Sequence, residues 1–218
     1  MEPRVSDVGV LDKALVLLSA VEAEPLALAG LVAATGIARP TAHRLAVALE
    51  VHGMLRRDED GRFRLGPRAI ALGRAASAAY PFRDAAGPAL AALRDATGES
   101  AQLYVREGDR RICLASLESP HGLRTIVDAG ASLPLEFGSA GAVLLGDPTA
   151  LARGWAESVG QREAGVASVS APVFDGDRVI AAVGVSGPIE RLTRQPGTKY
   201  GPAVMAAARR VEQALRGA

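Results

Sequence analysis

The sequence predicts an α+β chain: an N-terminal winged helix-turn-helix, a linker helix, and a second domain on a mostly antiparallel sheet. Three observations predict it. Residues 1–67 run helix, helix, tight turn, helix and compact basic hairpin. After Gly98 the apolar period changes from about 3.6 to about 2. The later strands are joined by short hairpin turns, with helices expected on one side of the sheet. The expected boundaries are 1–67 for the winged unit, 68–80 for the linker helix and 81–218 for the second domain.

Residues 8–22 place apolar side chains at 11, 14, 15, 18 and 21, the spacing of one helical face. Ser6 or Asp7 serves as its N-cap, and Glu24-Pro25 ends it, because the residue before proline is pushed out of the α region. A short helix over 27–35 turns Leu28, Leu31 and Val32 inward and stops at Gly36, with Ile37 filling the core behind it. Pro40 fits the first turn of the third helix, where its missing N–H breaks no bond. On that helix Leu45, Ala46, Ala48 and Leu49 are expected to face inward. Thr41, Ala42 and Arg44, with His43 beside them, are left on the leading face. Gly53 stops the helix. Strands at 54–57 and 62–65 then flank Asp58-Glu59-Asp60-Gly61, whose last two residues are a strong hairpin signal. Phe63 and Leu65 point one way along the second strand, Arg62 and Arg64 the other.

Gly66-Pro67 punctuates the end of this unit. A linker helix covers 68–79, and a helix over 83–97 has Ala86, Leu90 and Leu93 on one face. Strands are expected at 100–106 and 111–116 around Glu107-Gly108-Asp109, and a third over 123–128. Gly130, Gly138 and Gly141 bracket Leu133-Pro134-Leu135 and open a small-residue helix from Ala140 to Leu145. A further hairpin, 166–174 and 179–186, turns at Asp175-Gly176-Asp177, and an amphipathic helix over 199–216 closes the chain.

At 49% hydrophobic and 22% charged residues, the 218-residue chain is globular rather than disordered. No apolar run reaches the roughly 18–20 residues of a membrane span, and no basic-then-apolar leader opens the chain, so no membrane partner is expected. The single Cys113 excludes an intrachain disulfide and a zinc finger. Between Ile112 and Leu114 it reads as a buried strand residue or as a redox sensor, and a cytoplasmic location is expected. The net charge of +1 hides an uneven distribution. Residues 1–35 carry two basic against five acidic side chains, whereas residues 36–68 carry seven arginines against four acidic ones. Such a patch suits phosphate contact, and it also suits a solvated face; charge alone does not choose.

The histidines at 43, 52 and 121 form no nucleophile-and-base pattern. There is no Gly-x-Ser-x-Gly elbow, phosphate loop or metal-ligand spacing, so neither catalysis nor a cofactor is expected. The second domain instead gathers small and hydroxyl residues: Ser139-Ala140-Gly141, Ser168, Ser170 and Ser186-Gly187-Pro188. Backbone N–H groups at Ser139 and Ala140 suit a carboxylate. Caps, turns and tight packing use the same residues, and the residues alone leave both readings open.

Two groups of motifs carry a resemblance. The stretch Ala34-Thr35-Gly36-Ile37-Ala38-Arg39-Pro40-Thr41-Ala42-His43-Arg44-Leu45 is followed by Gly61-Arg62-Phe63-Arg64-Leu65-Gly66-Pro67-Arg68. With Arg153-Gly154-Trp155-Ala156, Gly165-Val166-Ala167-Ser168-Val169 and Ala171-Pro172-Val173, these resemble the IclR family of bacterial transcriptional regulators over essentially the whole chain. Residues 98–104 and 186–194 are similar to the actinobacterial NdgR/AreB-like branch, which is associated with leucine and other amino-acid metabolism.

The resemblance implies a double-stranded DNA operator met by Arg39, Pro40, Thr41, Ala42, His43 and Arg44, with Arg57, Arg62 and Arg64 on phosphates. It implies a homodimer through the N-terminal domains, often a tetramer through the effector-binding domains, and a curved, GAF-like sheet in the latter. It also implies a pocket for a small organic acid or amino-acid-related metabolite at Ser139, Ala140, Ser158, Ser168, Gly184 and Ser186. Ser158 stands where some members have aspartate, and Gly184 where some have serine. Between Leu145 and Arg153 the family pattern has a further helical segment, where this chain has only residues 146–152. A pocket more open to solvent, with weak or altered ligand response, is therefore expected. Two alternatives are a small-molecule sensor whose winged helix serves dimerisation, and a DNA-binding regulator insensitive to effectors.

Overall fold

The computed structural model describes residues 6, 8–78, 80 and 82–216. The chain divides into two compact units, Met1–Ala79 and Tyr80–Ala218.

The first unit contains α1 (Gly9–Ala23), α2 (Leu28–Thr35), α3 (Arg39–Val51), β1 (Leu55–Arg57), β2 (Phe63–Leu65) and α4 (Pro67–Ala78). Its core is Leu17 and Val21 of α1, Leu31 of α2, Ala42 and Ala46 of α3, and Leu55 and Phe63 of the hairpin. Ile37 packs against this cluster, as its position behind the turn predicts. The hairpin is pinned to the α1–α2 connection by a reciprocal pair of hydrogen bonds between the Leu26 and Phe63 backbones, 2.8 and 2.9 Å.

α1 departs from its expected face. Leu11 and Leu15 are half exposed, and Leu17 takes the core position. Apolar residues run almost all the way round this helix, so spacing alone could not select which stripe is buried. Of the two expected N-caps, Asp7 lies outside the described residues. The Ser6 hydroxyl accepts from the Val8 amide, and its own amide donates to Asp12.

The second unit contains α5 (Phe82–Thr97), β3 (Ser100–Glu107), β4 (Arg110–Leu117), β5 (Ser132–Pro134), α6 (Ser139–Leu145), α7 (Pro148–Arg153), β6 (Ala156–Val159), β7 (Val166–Asp175), β8 (Arg178–Pro188), α8 (Ile189–Leu192) and α9 (Pro196–Arg216). The six-stranded sheet has the order β5-β4-β3-β8-β7-β6, with every neighbouring pair antiparallel. It is the curved antiparallel sheet expected of this part of the chain.

Helices cover both faces, not one. Leu103, Val169, Val183 and Val185 meet α5 and α9 through Leu90, Leu93, Val204 and Val211. On the other face Tyr104, Cys113, Ala156 and Ala182 meet Ala140, Val143 and Leu144 of α6. The small residues of α6 let it lie flat on the sheet, so tight packing is part of their role. Cys113 is fully buried in this cluster, and burial pushes its thiol up to about 12, which suits packing rather than redox sensing.

The strand expected over 123–128 is absent, and β5 follows it at 132–134. Thr125 and Val127 are buried while Leu123 and Ile126 are exposed, so the alternation is real. What it lacks is a ladder partner: the Thr125 carbonyl accepts from the Ser100 hydroxyl, 2.7 Å, instead of from a strand. A half-buried ion pair closes the unit, with Arg191 Nε and Nη2 on the two oxygens of the buried Glu99 at 2.7 and 2.8 Å. It ties the entry of β3 to α8 as a bidentate, charge-assisted contact.

Candidate functional site

α3 presents one face to its own unit and one to solvent. Inward are Ala42, Leu45, Ala46 and Leu49, spaced i, i+3, i+4, i+7. Outward are Arg39, Pro40, His43 and Arg44, then Val47 and Val51 further along the same face. Thr41 is half-buried between the two. Ala42 is therefore a correction: it is wholly buried in the core and not on the leading face. Ala48, expected inward, is exposed. Val47 and Val51 were not foreseen as part of this face. The expected result for Ala42→Leu is a loss of about 1–3 kcal/mol of stability from overpacking, read from urea unfolding, while His43→Ala leaves the midpoint unchanged.

The hairpin sorts its arginines by partner. Arg57 donates to Glu50, 3.3 Å, and lies over the Phe63 ring at 4.5 Å. Arg62 pairs with Asp60 at 3.6 Å. Arg39, Arg44, Arg56 and Arg64 make no ion pair among the described residues. Arg56 and Arg64 face each other directly across the two strands. Like charges opposed in this way repel, so the pair is stabilised when an anion lies across it. Arg56 is the basic residue that sequence reasoning left out, and strand register is the signal that finds it.

In the second unit a cleft of about 420 Å³, counting the solvent at its mouth, opens on the α6 face of the sheet. Ser139, Ala140, Ser158, Ser168 and Ser186 line it, as do Gln102, Tyr104, Arg111, Arg162 and Ser170. Ser158, Ser168, Ser186 and Ser100 form one cross-strand row, and Ser170, Gly184 and Gln102 the next. Gly184 is a correction, since it does not line the cleft. A Cβ there would meet Ser170 Oγ at 2.3 Å and Val169 O at 2.4 Å, so the bare position is what lets the Ser170 hydroxyl occupy that row. Ser139 Oγ shares hydrogen bonds of 2.8 Å with Ser168 Oγ and Ser170 Oγ. Gln161 Oε1 accepts from Ser158 Oγ at 3.1 Å and from the Gly138 amide at 3.2 Å.

Two side chains give the cleft its chemistry, and sequence reasoning missed both. Gln102 is 1% exposed; its Oε1 accepts from Ser186 Oγ at 3.2 Å, and its Nε2 has no partner. Arg111 is 3% exposed, with Nη1 donating to the carbonyls of Pro134 and Phe137 and Nε unpartnered. Its guanidinium lies 5.5 Å from the centre of the Tyr104 ring. Burial lowers the Arg111 pKa from its ordinary value; Tyr104 opposes it, and the nearby Arg162 and Arg110 lower it by smaller amounts. Among the described residues no Asp or Glu lines the cleft. A buried cation without a counter-charge is costly, and an incoming carboxylate removes that cost.

The segment between Leu145 and Arg153 is not a bare loop. It holds α7, capped by Asp147, whose Oδ1 accepts from the Ala150 amide at 2.8 Å. None of residues 146–152 lines the cleft.

A winged helix-turn-helix with an arginine face that makes no ion pair among the described residues, in one chain with a polar cleft, is the build of a DNA-binding transcriptional regulator. Residues 10–59 match the IclR helix-turn-helix domain, and residues 75–150 and 148–213 match the bacterial transcriptional regulator IclR C-terminal domain. The chain belongs to the IclR family of bacterial transcriptional regulators. The two C-terminal matches meet at α7, where the connection is short. The chain is 30% identical over 200 residues to the glycerol operon regulatory protein of Streptomyces griseus, covering 77% of this chain and 79% of the relative.

Among solved structures, the IclR of Thermotoga maritima superposes with a TM-score of 0.75 at 20% identity, over 95% of this chain and 98% of that one. An IclR homolog of Microbacterium hydrocarbonoxydans, complexed with 4-hydroxybenzoate, gives 0.74 at 23% identity, over 96% and 100%. Identities this low establish the fold alone. The matched relatives are regulators, and the chain is a regulator and not an enzyme. Among the described residues no helix is long and apolar enough to cross a membrane.

Proposed function

We propose that this regulator reads its operator with the outer face of α3 and sets its affinity by a small carboxylate in the cleft. The observation that carries the ligand reading is Arg111, buried in the cleft wall with no acidic partner among the described residues. On the DNA side, Arg39, His43 and Arg44 supply donors, and Val47 and Val51 supply apolar contact suited to a thymine methyl. Arg56 and Arg64 lie along the phosphate backbone, with Arg57 and Arg62 exchanging their intramolecular acids for phosphates on contact.

A homodimer through the first units is supported by apolar side chains left uncovered there. Val10, Leu11 and Leu15 of α1 are more than half exposed, as is Ile70 of α4. Leu11→Glu with Leu15→Glu is expected to yield monomers in sedimentation analysis and to weaken operator binding with them. A tetramer would add contacts through the second units.

Similarity to the NdgR/AreB-like branch points to amino-acid metabolism as the regulated pathway. A cleft with two arginines and no acid disfavours an ammonium group, so the effector is the keto or hydroxy acid rather than the amino acid itself. The 4-hydroxybenzoate held by the Microbacterium homolog is likewise a carboxylate without an ammonium.

The test is a titration of DNA from upstream of the gene with full-length protein. The titration is run in the presence of mono-, di- and aromatic carboxylates and their amides. At least one acid, and not its amide, is expected to shift operator Kd roughly tenfold, about 1.4 kcal/mol of coupling. If every acid leaves Kd unchanged, the ligand half of the reading fails and the protein is an effector-insensitive regulator.

A further inference from the structure

We propose that the cleft selects a small aliphatic dicarboxylate, one carboxylate on Arg111 and the other on Arg162. The proposal rests on the reading that the cleft takes a carboxylate, and it specifies the charge and shape of that ligand.

The geometry comes from the sheet order. Arg111 stands on β4, and Arg162 on the connection between β6 and β7. Between β4 and β7 lie β3 and β8, so the two arginines enter from walls separated by three strand spacings, roughly 14 Å. Both side chains nonetheless line one cleft, and their charges oppose each other across it. Between them the floor is Gln102 of β3, Ser186 of β8, and Ser168 and Ser170 of β7. The cleft is thus a polar trough with a cation at each end.

The charges have little else to satisfy them. Arg111 spends Nη1 on two neutral carbonyls and leaves Nε unpartnered. Arg162 has Glu163 at 3.8 Å, but that carboxylate is 66% exposed and its pull is screened by water. One carboxylate would neutralise one end and leave the other cation in the same partly desolvated space. Two carboxylates on a short chain satisfy both ends. Gln102 adds a condition in the middle. Its Oε1 is occupied by Ser186, so what it offers a ligand is the unspent Nε2 donor. An oxygen substituent on the ligand's chain meets that donor, whereas an amino substituent does not.

The experiment is calorimetric titration of the full-length protein at fixed ionic strength with chain-matched pairs of acids. The pairs are malonate with propionate, succinate with butyrate, and glutarate with valerate. In at least one pair the dicarboxylate is expected to bind roughly tenfold more tightly, and Arg162→Gln is expected to bring that ratio to within about threefold. Arg162→Lys, which keeps the charge, is expected to restore part of the preference. Circular dichroism of each variant confirms the fold before titration. Equal binding within every pair overturns the proposal and leaves the carboxylate reading standing, as does a preference that survives Arg162→Gln. If none of the six acids binds, and 4-hydroxybenzoate does not bind either, the carboxylate reading falls with it.

Discussion

Arg44→Ala is expected to weaken operator binding by about 1–3 kcal/mol, a loss of roughly 5- to 150-fold, and to blur the distinction between operator and unrelated DNA. Arg44 is exposed on the outer face of α3 and makes no ion pair among the described residues, so its guanidinium is available for a base edge. Thr41, half-buried, and Ala42, fully buried, cannot replace it. Arg64→Ala should behave differently. It removes one phosphate contact, so binding falls on every sequence by a similar factor and the salt slope of log Kobs drops by about one. Gel-shift titrations at several salt concentrations, on operator and scrambled duplexes, separate the two patterns. An Arg44→Ala protein that kept both affinity and discrimination would mean that α3 does not enter the groove with this face.

The winged helix-turn-helix was legible in the sequence because its punctuation is chemical. Pro25 and Pro40 restrict φ, Gly36, Gly53 and Gly61 allow a positive φ, and the structure turns or a helix starts or ends at each of these points. The faces of α3 were less legible because alanine carries no preference strong enough to declare inside or outside. Spacing places Ala42 outside and Ala48 inside, and only packing against Leu17, Leu31 and Phe63 reverses them. The serines of the cleft could be found because small hydroxyl residues cluster in the sequence. Gln102 and Arg111 could not, since a polar residue in a strand ordinarily marks the solvent face. Their burial depends on α6 and on the loop at 134–137, more than twenty residues downstream of Arg111. The trough between Arg111 and Arg162 exists only once β3, β8 and β7 have been placed in order.

Gly141→Ala should damage both the second unit and its cleft, although alanine is the better helix former. In an open helix the change would stabilise by up to about 1 kcal/mol. At Gly141, in the first turn of α6, a Cβ would sit 2.0 Å from the Leu135 carbonyl oxygen and 3.2 Å from Arg111 Nη1. Backbone on one side and a buried guanidinium on the other leave it no room, so α6 and the loop at 134–137 must part. That loop supplies the Pro134 and Phe137 carbonyls that hold Arg111 in the cleft wall. Relaxing the clash therefore releases the cation that recognises the ligand. The expected result is a loss of about 1–3 kcal/mol or more in urea unfolding of the second unit, together with loss of carboxylate binding by calorimetry. Gly73→Ala provides the opposite case in the first unit. It lies within α4 with nothing inside 4 Å of its Cβ position, and it should leave stability unchanged or raise it. If the two substitutions had the same sign, the close approach of α6 to the 134–137 loop would not be what shapes the cleft.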